Sequence, residues 1–210
     1  MFGIINFETF LIAGILLILT PGTDTMYILG RSISQGKKAG LMSALGISTG
    51  VLVHCIFATL GLSIILAKSA LAFEVVKYLG AAYLIFLGVK SIIAKPQDTI
   101  EMDHPKNNKS LKKIYMSGVL TNVLNPKVAL FFLAFIPQFV DPTYTQSTLT
   151  FSLLGFTFFV LGSSYSFLLS LFASRLSTSI RSNYKFKTWL DRVTGMLFIG
   201  LGIKLAMAKK

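Results

Sequence analysis

Five polar side chains of this chain fall inside long apolar runs: Asp24, His54, Asn122, Asn125 and Lys127. Asp24 closes the stretch Thr20-Pro21-Gly22-Thr23-Asp24, two residues after the helix breakers Pro21 and Gly22. Lys127 closes Asn122-Val123-Leu124-Asn125-Pro126-Lys127, directly after a third. Each cluster couples a break in the backbone to one charge, negative in the first and positive in the second. Pro21 cannot donate to the carbonyl of Leu17, and Pro126 leaves that of Asn122 without its helical partner. At membrane depth such carbonyls persist only where protein or a water-lined cavity satisfies them. An intramembrane carboxylate costs about 2.5–3.5 kcal/mol on insertion scales and marks an ion or substrate path. A carboxylate, an ammonium and two amides suit the binding of a zwitterion and the carriage of a proton. No nucleophile stands beside a base and no cysteine pair occurs, so no catalytic residue is assigned.

Each of these residues has a functional and a structural reading. Asp24 either receives a substrate ammonium or the coupled proton, or caps a half-helix restarting at Thr25. Lys127 either holds a substrate carboxylate, pairs with Asp24 in the empty site, or snorkels to the interface. Gly118, Asn122 and Asn125 recur at i, i+4 and i+7 on one helical face, where the amides serve as ligands or as interhelical glue. Gly46, Gly50 and His54 repeat every four residues: the glycines permit close helix approach, and His54 relays protons or makes a structural hydrogen bond. Gln138 is a weaker candidate. Pro21, Gly22 and Pro126 supply unwound backbone and a hinge.

The elements that must hold these residues are membrane helices. The chain is 53% hydrophobic and 13% charged, with a mean hydropathy of +0.71, outside the range of ordinary soluble domains. Six all-α spans are expected at about 5–30, 40–67, 70–94, 114–138, 148–174 and 189–208. The first and fourth carry the proline breaks. Gly30-Arg31-Ser32-Ile33-Ser34-Gln35-Gly36-Lys37-Lys38 reads as a short basic turn after the first span, and Trp189 marks an interface. The polar stretch 95–113 divides two three-helix halves, 1–94 and 114–210.

The net charge of +12 sits mainly in the connections, which argues for the positive-inside rule rather than nucleic acid. Fourteen of the twenty Lys and Arg follow the first, third and fifth spans, against five on the other side. That asymmetry places both termini outside and the 95–113 loop in the cytoplasm. With three spans per half the second half enters inverted, a recurring transporter plan. Leu87-Gly88-Val89-Lys90 and Leu201-Gly202-Ile203-Lys204 echo one another at the ends of the third and sixth spans. One cysteine, Cys55, and two histidines supply neither a disulfide nor a metal cage. No cofactor is expected. The N-terminus lacks the basic region and cleavage site of a signal peptide.

The chain resembles the LysE/RhtB family of bacterial lysine and homoserine/threonine exporters. The resemblance rests on Pro21-Gly22-Thr23-Asp24, Gly46-x3-Gly50-x3-His54, Gly80-Ala81-Ala82-Tyr83-Leu84-x2-Leu87-Gly88, and Asn122-x2-Asn125-Pro126-Lys127-x3-Phe131 with Pro137-Gln138-Phe139. It covers nearly the whole chain, with one departure at Thr23, where the family pattern repeats proline. It implies export of amino acids or small derivatives across the cytoplasmic membrane, driven by a proton or ion gradient. Asp24, Asn125, Pro126 and Lys127 match the pattern as site candidates. In this reading Asp24 takes the substrate ammonium or proton, and Lys127 with Asn122 and Asn125 takes the carboxylate. The partners are a small amino acid, protons and the bilayer, and the glycine stripes would permit a homodimer. The side-chain pocket is expected among the second, third and fifth spans. The alternative is efflux of an inorganic cation or another small metabolite by the same fold.

Overall fold

The apolar runs fold as helix, because only a helix satisfies its own backbone without water. The structure, a computed structural model, describes residues 2–62, 70–93, 110–141, 143–173 and 184–207. Most of the 95–113 connection and part of the basic stretch before the last helix lie outside the described residues. Helix α1 spans Phe7–Leu19, α2 Thr23–Phe57, α3 Ala70–Ile93, α4 Leu111–Val123, α5 Pro126–Leu130, α6 Ser147–Leu171 and α7 Tyr184–Met207. A π-helical turn, Ala58–Leu62, extends α2, while a π turn and a 3-10 turn carry α5 on to Phe139. Among the described residues the only strand-like pairing is one antiparallel bridge between Ile4 and Val140.

Thr23–Gly61 and Ser147–Leu171 each contain a window long and apolar enough to cross a membrane. Leu111–Val123 with Pro126–Phe139, bent by 45° at its break, makes a third. Large apolar side chains such as Ile56, Leu120, Phe156 and Leu168 face outward, as a surface bathed in lipid requires. The chain is a multi-pass membrane protein.

The basic stretch 30–38 does reverse the chain as expected, but over far fewer residues. Helix continues through Arg31 to Gln35, and Arg31 is buried. The reversal is confined to Gly36, whose φ of 82° and ψ of −178° suit glycine alone. Beyond it the chain folds back: a methyl group at Gly40 would lie 3.0 Å from Ser32 Cβ, whereas eight residues of straight helix span about 12 Å. Residues 23–35 and 37–57 of α2 are therefore two arms.

Small residues set the closest helix crossings. Gly46 and Gly50 on the second arm of α2 meet Gly118 and Asn122 on α4, and Gly88 on α3 meets Gly195 on α7. The glycines that would have permitted a dimer are thus used within the chain. A methyl group at Gly46 runs into the carbonyl oxygen of Tyr115 and the Cα of Gly118, and backbone cannot swing away as a side chain can. Gly46→Ala is expected to destabilise the fold by about 1–3 kcal/mol, read as a lower melting temperature in detergent. An unchanged melting temperature would contradict the crossing.

Beneath the α1–α2 break lies an aromatic core. Phe131 stacks on Phe135 at 4.5 Å and tilts against Phe158 at 4.6 Å, and Phe10, Phe132, Phe139 and Phe151 complete it, all buried. It fixes α5 and its extension against α1 and α6, and so sets where Lys127 stands.

Candidate functional site

Both helix breaks occur where proline demands them. Helix α1 stops at Leu19, and Thr20 turns both its N–H and its hydroxyl onto the carbonyl of Leu16, at 3.0 and 2.7 Å. Helix α2 restarts at Thr23 behind an N-cap at Gly22, so Asp24 is in the first turn and is not the cap. In the second half Asn125 is the N-cap: its Oδ1 accepts from the Lys127 N–H at 3.0 Å, with Pro126 at the first helical position.

The two carbonyls freed by proline are satisfied from the opposite half of the chain. Lys127 Nζ donates to the carbonyls of Leu17 and Thr20, both at 2.8 Å. Its charge sits at the C-terminal end of α1, where the helix dipole is negative. The carbonyl of Asn122 accepts from His54 Nε2 at 3.1 Å and from the Asn125 N–H at 2.9 Å. Since a carbonyl only accepts, the His54 proton is on Nε2. The ring also stacks on Phe132, 5.7 Å between centres. His54 stands behind the second break and is not among the residues lining the pocket.

Asp24 and Asn122 meet across the interface of α2 and α4. The Asn122 Nδ2 donates to Asp24 Oδ2 at 2.8 Å. The remaining oxygens, Asp24 Oδ1 and Asn122 Oδ1, are buried with no hydrogen-bond partner. Such orphans are rare and require a reason. Both residues line a small pocket of about 60 Å³. Thr20, Asn125 and Lys127 share the lining, and Leu17, Ile18, Ile28, Ile47, Val51 and Phe158 form an apolar wall. A methyl group at Gly50 would lie 2.6 Å from Asn122 Cβ, so the glycine makes room for the amide.

Five of the sequence candidates therefore gather at one pocket: Gly22, Asp24, Asn122, Asn125 and Lys127. Gln138 is half-buried in the 3-10 turn Ile136–Phe139, outside the lining. Among the described residues, none of the third span lines the pocket. The fifth span does, through Phe158, Gly162, Tyr165 and Ser166. Tyr165 and Ser166 were missed from sequence, although the polar residues of that phenylalanine-rich run were the available signal.

The sequence is similar to a known family and to several membrane proteins along nearly its whole length. The family described as LysE type translocator matches residues 15–209. The uncharacterized membrane protein YrhP of Bacillus subtilis is 34% identical over 202 residues, covering 92% of this chain and 94% of its own length. The leucine efflux protein of Salmonella typhimurium is 28% identical over 209 residues, covering 98% and 96%. An uncharacterized membrane protein of Pseudomonas aeruginosa is 30% identical over 212 residues, covering 98% and 97%. No solved structure matches the chain.

Proposed function

We propose that this chain, which belongs to the family of LysE type translocators, exports amino acids with aliphatic side chains in exchange for protons. It is a transporter and not an enzyme. The observation that carries the reading is the pocket that gathers Asp24, Asn122, Asn125 and Lys127 against an apolar wall. The Asp24 carboxylate gives a cargo ammonium its counter-charge. Beside it the wall of Leu17, Ile18, Ile28, Val51 and Phe158 offers an aliphatic side chain an apolar surface and no charge. The leucine efflux relative supports the same class of cargo.

Asn122 accordingly sits with Asp24 on the ammonium side, because its amide nitrogen is committed to the carboxylate. Lys127 and Asn125 remain on the carboxylate side. Lys127 also closes the first break, so a cargo carboxylate that draws the ammonium away from Leu17 and Thr20 would loosen α1 from α2. Six spans carry this site, as inverted halves 1–94 and 114–210 joined by a cytoplasmic 95–113 loop, with both termini outside the bacterial cytoplasmic membrane. Pro21, Gly22 and Pro126 are the hinges for alternating access.

Proteoliposomes loaded with leucine test the reading. Efflux is expected to exceed that of protein-free vesicles, and to accelerate when the outside is made acidic. Efflux equally fast with and without the pH gradient would refute proton exchange. No efflux of leucine, isoleucine or valine would refute export of this class.

A further inference from the structure

Arg31 has no part in the site described so far, yet it is only 6% exposed. A guanidinium stays charged in proteins and carries five donors. One of its nitrogens, Nη1, is buried with no hydrogen-bond partner. The group lies over the Tyr27 ring, 5.7 Å from its centre. Tyr27 is itself anchored, its hydroxyl donating to the carbonyl of Ile114 at 2.6 Å. Stacking fixes the guanidinium in place but gives Nη1 no acceptor. An ionisable side chain held like this inside a membrane protein marks a ligand path.

Its position identifies the path. Asp24, Ile28 and Arg31 fall at i, i+4 and i+7 on α2, so they share one face. Asp24 and Ile28 line the pocket, and Arg31 stands one turn further on, about 10 Å along the helix axis from Asp24. Helices α2 and α4 run antiparallel here, since Asp24 meets Asn122 and Tyr27 meets Ile114. A buried donor that is always charged and has no acceptor suits an anion.

We propose that Arg31 is a carboxylate-binding station at the cytoplasmic mouth of the path, taken by the cargo before its ammonium reaches Asp24. This rests on the export reading above. Asp24 and Arg31 stand two turns apart on α2, and the cargo meets the two stations in succession. Tyr27 and Ile114 hold the guanidinium in register while its Nη1 waits for an acceptor that arrives with the cargo.

The test is leucine efflux from proteoliposomes at several internal leucine concentrations, with leucinamide, which lacks the carboxylate, as an internal competitor. Arg31→Gln is expected to raise the KM for leucine about tenfold or more, the weight of a charge-assisted hydrogen bond. Its maximal rate and the inhibition constant of leucinamide should be unchanged. Arg31→Lys, which keeps the charge, should restore much of the affinity. An unchanged KM would overturn the proposal. So would an equal shift for leucine and leucinamide, which would mark Arg31 as structural or as the seat of an inorganic anion. Failure of the wild-type chain to export leucine at all would overturn the export reading itself.

Discussion

Asp24→Asn is expected to abolish leucine export from proteoliposomes while leaving a protein that elutes and melts as the wild type does. The substitution preserves shape. Asn122 Nδ2, now 2.8 Å from Asp24 Oδ2, can still donate to the oxygen that an asparagine keeps. What changes is the second atom. Where Asp24 Oδ1 now stands as an unpartnered acceptor, an amide would present donors to the place where the cargo's ammonium must sit. Leaving a buried charge without its counter-charge costs about 3–5 kcal/mol, which is roughly a 150- to 4,000-fold loss of affinity. Leucine–leucine exchange, which needs no net proton movement, separates the two roles of the carboxylate. Loss of both export and exchange is expected, because the same oxygen receives the ammonium. Retained exchange with lost pH-driven export would assign Asp24 to the proton alone, and full export by the variant would remove Asp24 from the site.

The breaks themselves were legible in the sequence because proline acts locally. Pro21 and Pro126 lack an N–H whatever surrounds them, and the helices stop at Leu19 and Val123 accordingly. The groups that satisfy the freed carbonyls were not legible. Lys127 reaches Leu17 across 110 residues of sequence and His54 reaches Asn122 across 68, and no local pattern encodes such pairings. Spacing put Asn122 on the right face but said nothing of the partner its amide nitrogen takes, since that depends on where Asp24 lies. Arg31 shows a different failure. Counting basic residues as loop assumed a turn several residues long, whereas Gly36 accomplishes the reversal alone and leaves Arg31 inside the helix. The glycine stripes lie at close helix approaches, yet which helix they approach is a tertiary fact.

These pairings make the two halves interdependent. Each proline break is sealed by a basic side chain from the other half, Lys127 for the first and His54 for the second. The hydrogen bond between Asp24 and Asn122 adds a third link between the same two regions. A ligand that competes for any one of these groups acts on both halves at once, which is what an alternating-access cycle needs.

Lys127→Met measures how much of that link resides in one side chain. Methionine fills similar volume and can follow the same course between α5 and the first break, but it donates nothing. The carbonyls of Leu17 and Thr20, each now 2.8 Å from Nζ, would lose that donor in a setting that excludes water. At about 1–3 kcal/mol for each buried group left unmet, the loss is a large fraction of ordinary stability. A marked fall in melting temperature is expected, together with loss of export. Lys127→Gln keeps two N–H donors without the charge, so it should recover stability more than export if the ammonium also meets the cargo carboxylate. A melting temperature that Lys127→Met leaves untouched would show that the first break is held by α1 packing on the aromatic core, and that Lys127 serves the cargo alone.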